Sequence, residues 1–222
     1  RLAHFVEPMA SNGTAGFPGT SLITTLEGLG TEFGPHLNAY TSFDETVYKL
    51  RVPTDDPEPL DTAFRILGDW AGGVTFDDEE IEKERGVVLE EWRTGLGPSE
   101  RIQQALMPRL FEGTPYPERR PIGTEESLRT FEPDALRRFY DDWYRPELMS
   151  VVVVGDIDVE KVEARIRDTF GGLDNPAQPR ERVRPVLPTP EATRAVVVTH
   201  PEVPIAQLGL LRKFPDREGN DH

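Results

Sequence analysis

Apolar positions along the chain fall into helical and strand spacings that change several times. Leu2, Ala3, Phe5, Val6 and Met9 open the chain as one apolar helical run, with His4 and Glu7 set into it one turn apart. Asn12-Gly13-Thr14 and Gly16-Phe17-Pro18-Gly19 then punctuate a loop. Leu22, Ile23, Leu26 and Leu29 share one side of a helix predicted from Thr20 to Leu29. After a Gly/Pro loop (Gly30, Gly34, Pro35), LNAYTSFDETVYKLRVP is rich in β-branched and aromatic residues and stops at Pro53. It reads as two extended stretches, a bent hairpin. A turn over Asp55–Pro59 leads to an amphipathic helix at Leu60–Gly72, and further helices are predicted from Asp77 to about Thr94, Ser99 to Phe111, Pro133 to Tyr144 and Val159 to Phe170. Ser150–Val154 reads as a buried strand.

The alternation of helices with few strands gives an α+β fold, a mixed β-sheet covered by helices on one face. Three units follow: a domain over 1–173, a proline-rich linker over 174–190, and the first strands of a second, similar domain over 191–222, carried by RAVVVTH and IAQLGLLRKF. Both ends are expected to be cut, with the opening strands of the first domain absent.

Composition narrows the function. At 36% hydrophobic and 29% charged, the 222 residues can bury a real core. A formal net charge of −15 argues against nucleic acid or anionic membrane as partner, and no run is long and apolar enough for a membrane span. With no cysteine, disulfides, thiolate metal sites and thiol nucleophiles are excluded. VVVVGD at 151–156 lacks the glycine pattern of a nucleotide loop. His36, His200 and His222 have no donors at ligand spacing.

The helix from Asp77 contains a conflict. On a wheel of about 100° per residue, Ile81, Val87, Val88 and Trp92 define a core-facing side, and Glu84 and Glu91 land inside its arc. A carboxylate placed inward must be protonated, paired or bound to a cation. A salt-bridged or boundary-hydrated pair is one solution. The other brings His4 and Glu7 to the same place, where one imidazole and several carboxylates suit a divalent ion such as zinc.

LAHFVEPMASNGT, LNAYTSFDETVY, ERGVVLEEWR and DWYRPELMSVVVVGDID, in that order, resemble the insulinase/pitrilysin family of zinc metallopeptidases, the inverted zincins. The resemblance covers roughly residues 1–172 and implies the metallohydrolase fold of the mitochondrial processing peptidases. It implies His4 and Glu91 as zinc ligands, Glu7 as the base that activates a zinc-bound water, and Glu84 as a nearby carboxylate supporting the site. It implies Asn38, Ala39 and Tyr40 as an edge that takes peptide or an unfolded protein segment by strand addition. It also implies a homologous second half or sister subunit that closes the chamber.

The pattern breaks at one ligand. The family motif H-x-x-E-H would put its second histidine at position 8, where this chain has Pro8; Ser11 stands where an aromatic is common. Proline removes a ligand, and beyond the first helical turn it also removes a backbone bond and crowds the carbonyl of His4. It further pushes Glu7 away from helical geometry, unless the helix starts late enough to hold Pro8 in its first turn. The expectation is a peptide-acting metallopeptidase domain impaired at Pro8. The alternative is a non-catalytic family member that binds peptide or shapes the chamber of an active partner.

Overall fold

The structure is a computed structural model that describes residues 2–31, 36–189, 192–203 and 205–213. Gly34, Pro35, Pro190 and the tail from Phe214 to His222 lie outside the described residues.

In chain order the elements are α1 (Leu2–Met9), α2 (Ser21–Gly28), β1 (Leu37–Thr41), β2 (Thr46–Leu50), α3 (Pro57–Gly72), α4 (Asp78–Thr94), α5 (Pro98–Leu110), α6 (Glu125–Thr130), α7 (Pro133–Trp143) and α8 (Val159–Phe170). The α+β class holds. Its sheet, among the described residues, is a single antiparallel hairpin in which Leu37 pairs with Leu50 and Thr41 with Thr46.

Local chemistry sets the helix starts. α3 begins three residues before the predicted Leu60 because Asp56 caps it, accepting the Glu58 amide, and Pro57 takes the first position, where a missing N–H is harmless. Asp77 caps α4 by accepting the amides of Glu79 and Glu80. α6, which hydrophobic spacing did not predict, is a short helix held by a reciprocal capping box between Thr124 and Ser127.

α1 is the central strut. Phe5, Val6 and Met9 enter one core with Phe76, Ile81, Val88, Leu128 and Leu136 from α4, α6, α7 and the loop before α4. Ala10, just past its end, enters a second core with Leu22, Leu26, Leu37, Ile66 and Trp70. Each fully buried large apolar side chain contributes about 1.5–3 kcal/mol, so α1 is locked on both sides. The Trp70 indole N–H fastens its end by donating to the Ala10 carbonyl at 2.9 Å.

Three expectations change. Ser150–Val154 forms no ladder among the described residues, and Val152 and Val154 are 83% and 90% exposed. Residues 194–200 and 205–213, read as opening strands of a second domain, are likewise unpaired there. These β-branched stretches have strand propensity, but a strand exists only with a neighbour to bond, and among the described residues no strand pairs with them. Val87, assigned to the core face of α4, is 59% exposed, while Leu89 is buried. The packed arc of α4 is therefore centred nearer Leu89 than the wheel placed it.

Candidate metal centre

That rotation decides where the carboxylates go. With Ile81, Val88 and Leu89 buried, Glu84 and Glu91 sit at the border of the packed face rather than inside it. Glu84 is half-buried, and the Glu91 side chain is 55% exposed. The inward placement read from the sequence is corrected to a rim. From that rim Glu91 reaches α1, its Oε1 3.4 Å from His4 Nε2, on an imidazole only 16% exposed.

The structure brings His4, Glu84 and Glu91 together. Burial holds the Glu84 carboxyl above the usual carboxylate range, opposed by a hydrogen bond from Asn12 Nδ2 to Oε2 at 2.7 Å; the Glu91 charge pushes upward and His4 downward. Asn12 was not singled out by sequence, although it follows α1 directly in the loop that returns toward α4. Glu7, one turn from His4, accepts a 2.5 Å hydrogen bond at Oε2 from the hydroxyl of Thr41, the last residue of β1.

β1 carries the other predicted residues. Asn38 and Tyr40 lie on its exposed face and Ala39 is half-buried. The Tyr40 hydroxyl donates to Glu45, and Lys49 packs over its ring. Among the described residues β1 is bonded to β2 on one edge only.

α1 contains Pro8 as its seventh residue, and the helix runs through to Met9. The start is too early to shelter the proline in a first turn. Glu7 nonetheless stays helical: the expected displacement of Glu7 does not occur, because the buried Phe5, Val6 and Met9 hold the segment in place.

Whether these donors suit zinc can be tested on their geometry. Two donors on one tetrahedral zinc, with bonds near 2.0–2.1 Å, stand about 3.3 Å apart. His4 and Glu91 have that spacing. The third donor is absent, since Pro8 offers none, and among the described residues no group of three or more metal-binding side chains assembles. His4 Nδ1 is buried without a hydrogen-bond partner. A metal on Nε2 would force the proton onto Nδ1, which normally donates to an acceptor in metal sites. The residues present make half a zinc site and do not fit a competent one.

Comparison with known proteins agrees with this architecture. The family model Insulinase (Peptidase family M16) matches residues 2–118, and the model Peptidase M16 inactive domain matches residues 130–222. The chain is 37% identical over 220 residues to the probable zinc protease PqqL of Escherichia coli, covering 99% of this chain and 24% of that protein. It is 34% identical over 229 residues to the zinc protease PQQL-like of Arabidopsis thaliana, covering 97% and 24%. The crystal structure of the first half of the periplasmic protease PqqL from Escherichia coli superposes with a TM-score of 0.79 at 40% identity, covering 85% of this chain and 40% of that one. The chain thus spans about a quarter of the length of these curated relatives. On the family match across more than half its residues, on the fold, and on the relatives' sequences, the chain belongs to the insulinase family of peptidases, family M16.

Proposed function

We propose that this chain is a peptide-handling metallopeptidase domain whose zinc site is impaired at Pro8, the position of the second ligand. The observation that carries this reading is the pairing of His4 with Glu91 at the spacing of two zinc donors, on the helix whose next turn carries proline. In a complete site zinc would supply an activated water and polarise a peptide carbonyl. What the residues do themselves is bind and position.

The β1 edge at Asn38, Ala39 and Tyr40 offers backbone donors and acceptors to an extended peptide, which suits capture with little sequence demand. Glu7 is held by Thr41 at the end of that strand, in reach of a peptide laid along it. A homologous second half or sister subunit would close over this edge. The relatives, about four times as long as this chain, leave room for such a half.

The incomplete donor set also favours a second reading, a non-catalytic member that binds peptide for an active partner. Zinc per chain, measured by elemental analysis on the parent and on Pro8→His, separates the two. A metal-free parent with about one zinc in the variant supports an impaired peptidase. Tight zinc in the parent overturns the role given to Pro8. No zinc in either favours the non-catalytic reading.

A further inference from the structure

The inner face of the hairpin holds hydroxyl groups that the peptidase reading leaves unused. Thr41 and Thr46 face each other in the last pair of the β1–β2 ladder, their hydroxyl oxygens 3.2 Å apart. Thr41 also donates to Glu7, so the threonine pair ends on the carboxylate. Two residues further along β2, the Tyr48 hydroxyl lies 2.8 Å from that of Tyr144, which follows α7.

The direction of the threonine pair follows from the chemistry of the groups. An ionised carboxylate can only accept, so Thr41 spends its single proton on Glu7. Thr41 must then accept from Thr46, 3.2 Å away. Both threonine hydroxyls therefore point toward Glu7.

The geometry points to Thr41 as a positioning residue for Glu7, one that fixes one carboxylate oxygen and its orientation and is itself held by Thr46 across the hairpin. The inference rests on the reading of Glu7 as the base, and extends it to residues outside the motif. The Thr46–Thr41–Glu7 contacts are made with Pro8 in place, so they are built independently of the metal.

The test uses Thr41→Val, which keeps the β-branched shape, and Thr41→Ser, which restores the hydroxyl. In the full chain with 13C-carboxyl-labelled glutamate, the infrared difference against Glu7→Gln isolates the Glu7 carboxylate stretch without any zinc. Thr41→Val is expected to shift that band and Thr41→Ser to return it. An unchanged band in folded Thr41→Val overturns the proposal. In the Pro8→His background loaded with zinc, Thr41→Val is expected to lower kcat on a peptide by about 10- to 100-fold with KM and zinc content unchanged, and Thr41→Ser to recover it. Loss of zinc in place of kcat would mark a structural role and overturn it. If Pro8→His takes up no zinc, the impaired-peptidase reading fails while the infrared result still decides the role of Thr41.

Discussion

His4 Nε2 and Glu91 Oε1 lie 3.4 Å apart across the gap between α1 and α4, with Glu84 beside them held by Asn12. The pair is preset by packing, because α1 and α4 share the core of Phe5, Ile81 and Val88. Restoring one donor should therefore complete a site without rearranging the fold.

On that basis the two glutamates separate by role. In the Pro8→His background, Glu84→Gln is expected to weaken zinc binding by about 10- to 100-fold, the usual effect of losing a supporting group. Glu91→Gln is expected to weaken it beyond that range, since it removes a charged donor. Competition with a chromophoric chelator measures both. Equal losses would mean that Glu91 does not reach the ion.

Pro8 also bears on stability. It lies within the last turn of α1 and has no N–H for the His4 carbonyl. Pro8→Ala is expected to stabilise the chain by about 1–3 kcal/mol, less than or equal to the cost of a mid-helix proline because the position is near the helix end. For a chain of this size that is a rise in Tm of roughly 2–4 °C per kcal/mol. Urea denaturation of parent and variant checks it; no gain would show that the helix end already accommodates the ring.

Much of this was readable from residue order. The helical spacing of α3, α4 and α7 and the start of α4 at Asp77 are local signals, and these locally encoded elements appear where expected. Type and spacing offered two readings of His4, Glu7, Glu84 and Glu91, a salt-bridged border or a shared place, and His4, Glu84 and Glu91 lie together at that border. Glu84 and Glu91 were placed too far inward because Leu89 was left out of the packed arc; which of two flanking apolar residues packs depends on the partner helices, not on α4 alone. Arg85 shows the same limit. It lies on the packed side of α4 because its guanidinium stacks over Phe131, 4.1 Å from the ring centroid, and donates to the Phe131 carbonyl. Thr41, Asn12 and Tyr144 were invisible for a different reason: each acts through a side chain distant in sequence, and no spacing rule links position 7 to 41, 12 to 84 or 48 to 144.

Asp69 on α3 ties down the loop that follows α1. One oxygen accepts from the Thr14 hydroxyl at 2.6 Å and from the Gly16 amide at 2.8 Å. A Cβ at Gly16 would stand 2.7 Å from that oxygen, so glycine there permits the approach. Asp69→Ala is expected to cost about 2–4 kcal/mol, because two hydrogen bonds to a charged group are lost together. Hydrogen exchange should speed at residues 13–17 before it does in α1. Uniform acceleration would mean that the loop and the helix open as one unit.

The tyrosines behind Glu7 give the chain an alkaline limit. Burial pushes Tyr144 up to about 12 from an ordinary value of 10.0, and pushes Tyr48 well above its own. The sign follows from proton counting. Between pH 10 and 12 the unfolded chain releases a proton that folded Tyr144 keeps, so the folded state binds more protons and its stability falls as pH rises. The stabilisation is fully present below pH 10 and is lost as pH climbs through the folded value. A shift of about two units corresponds to roughly 3 kcal/mol from Tyr144. Tyr144→Phe removes that contribution along with the hydroxyl. The urea midpoint of the parent should drop between about pH 9 and about pH 11.5, and the drop should be shallower in Tyr144→Phe. Equal slopes in the two proteins would show that Tyr144 ionises in the folded state as readily as in the unfolded one, and that its burial does not raise it.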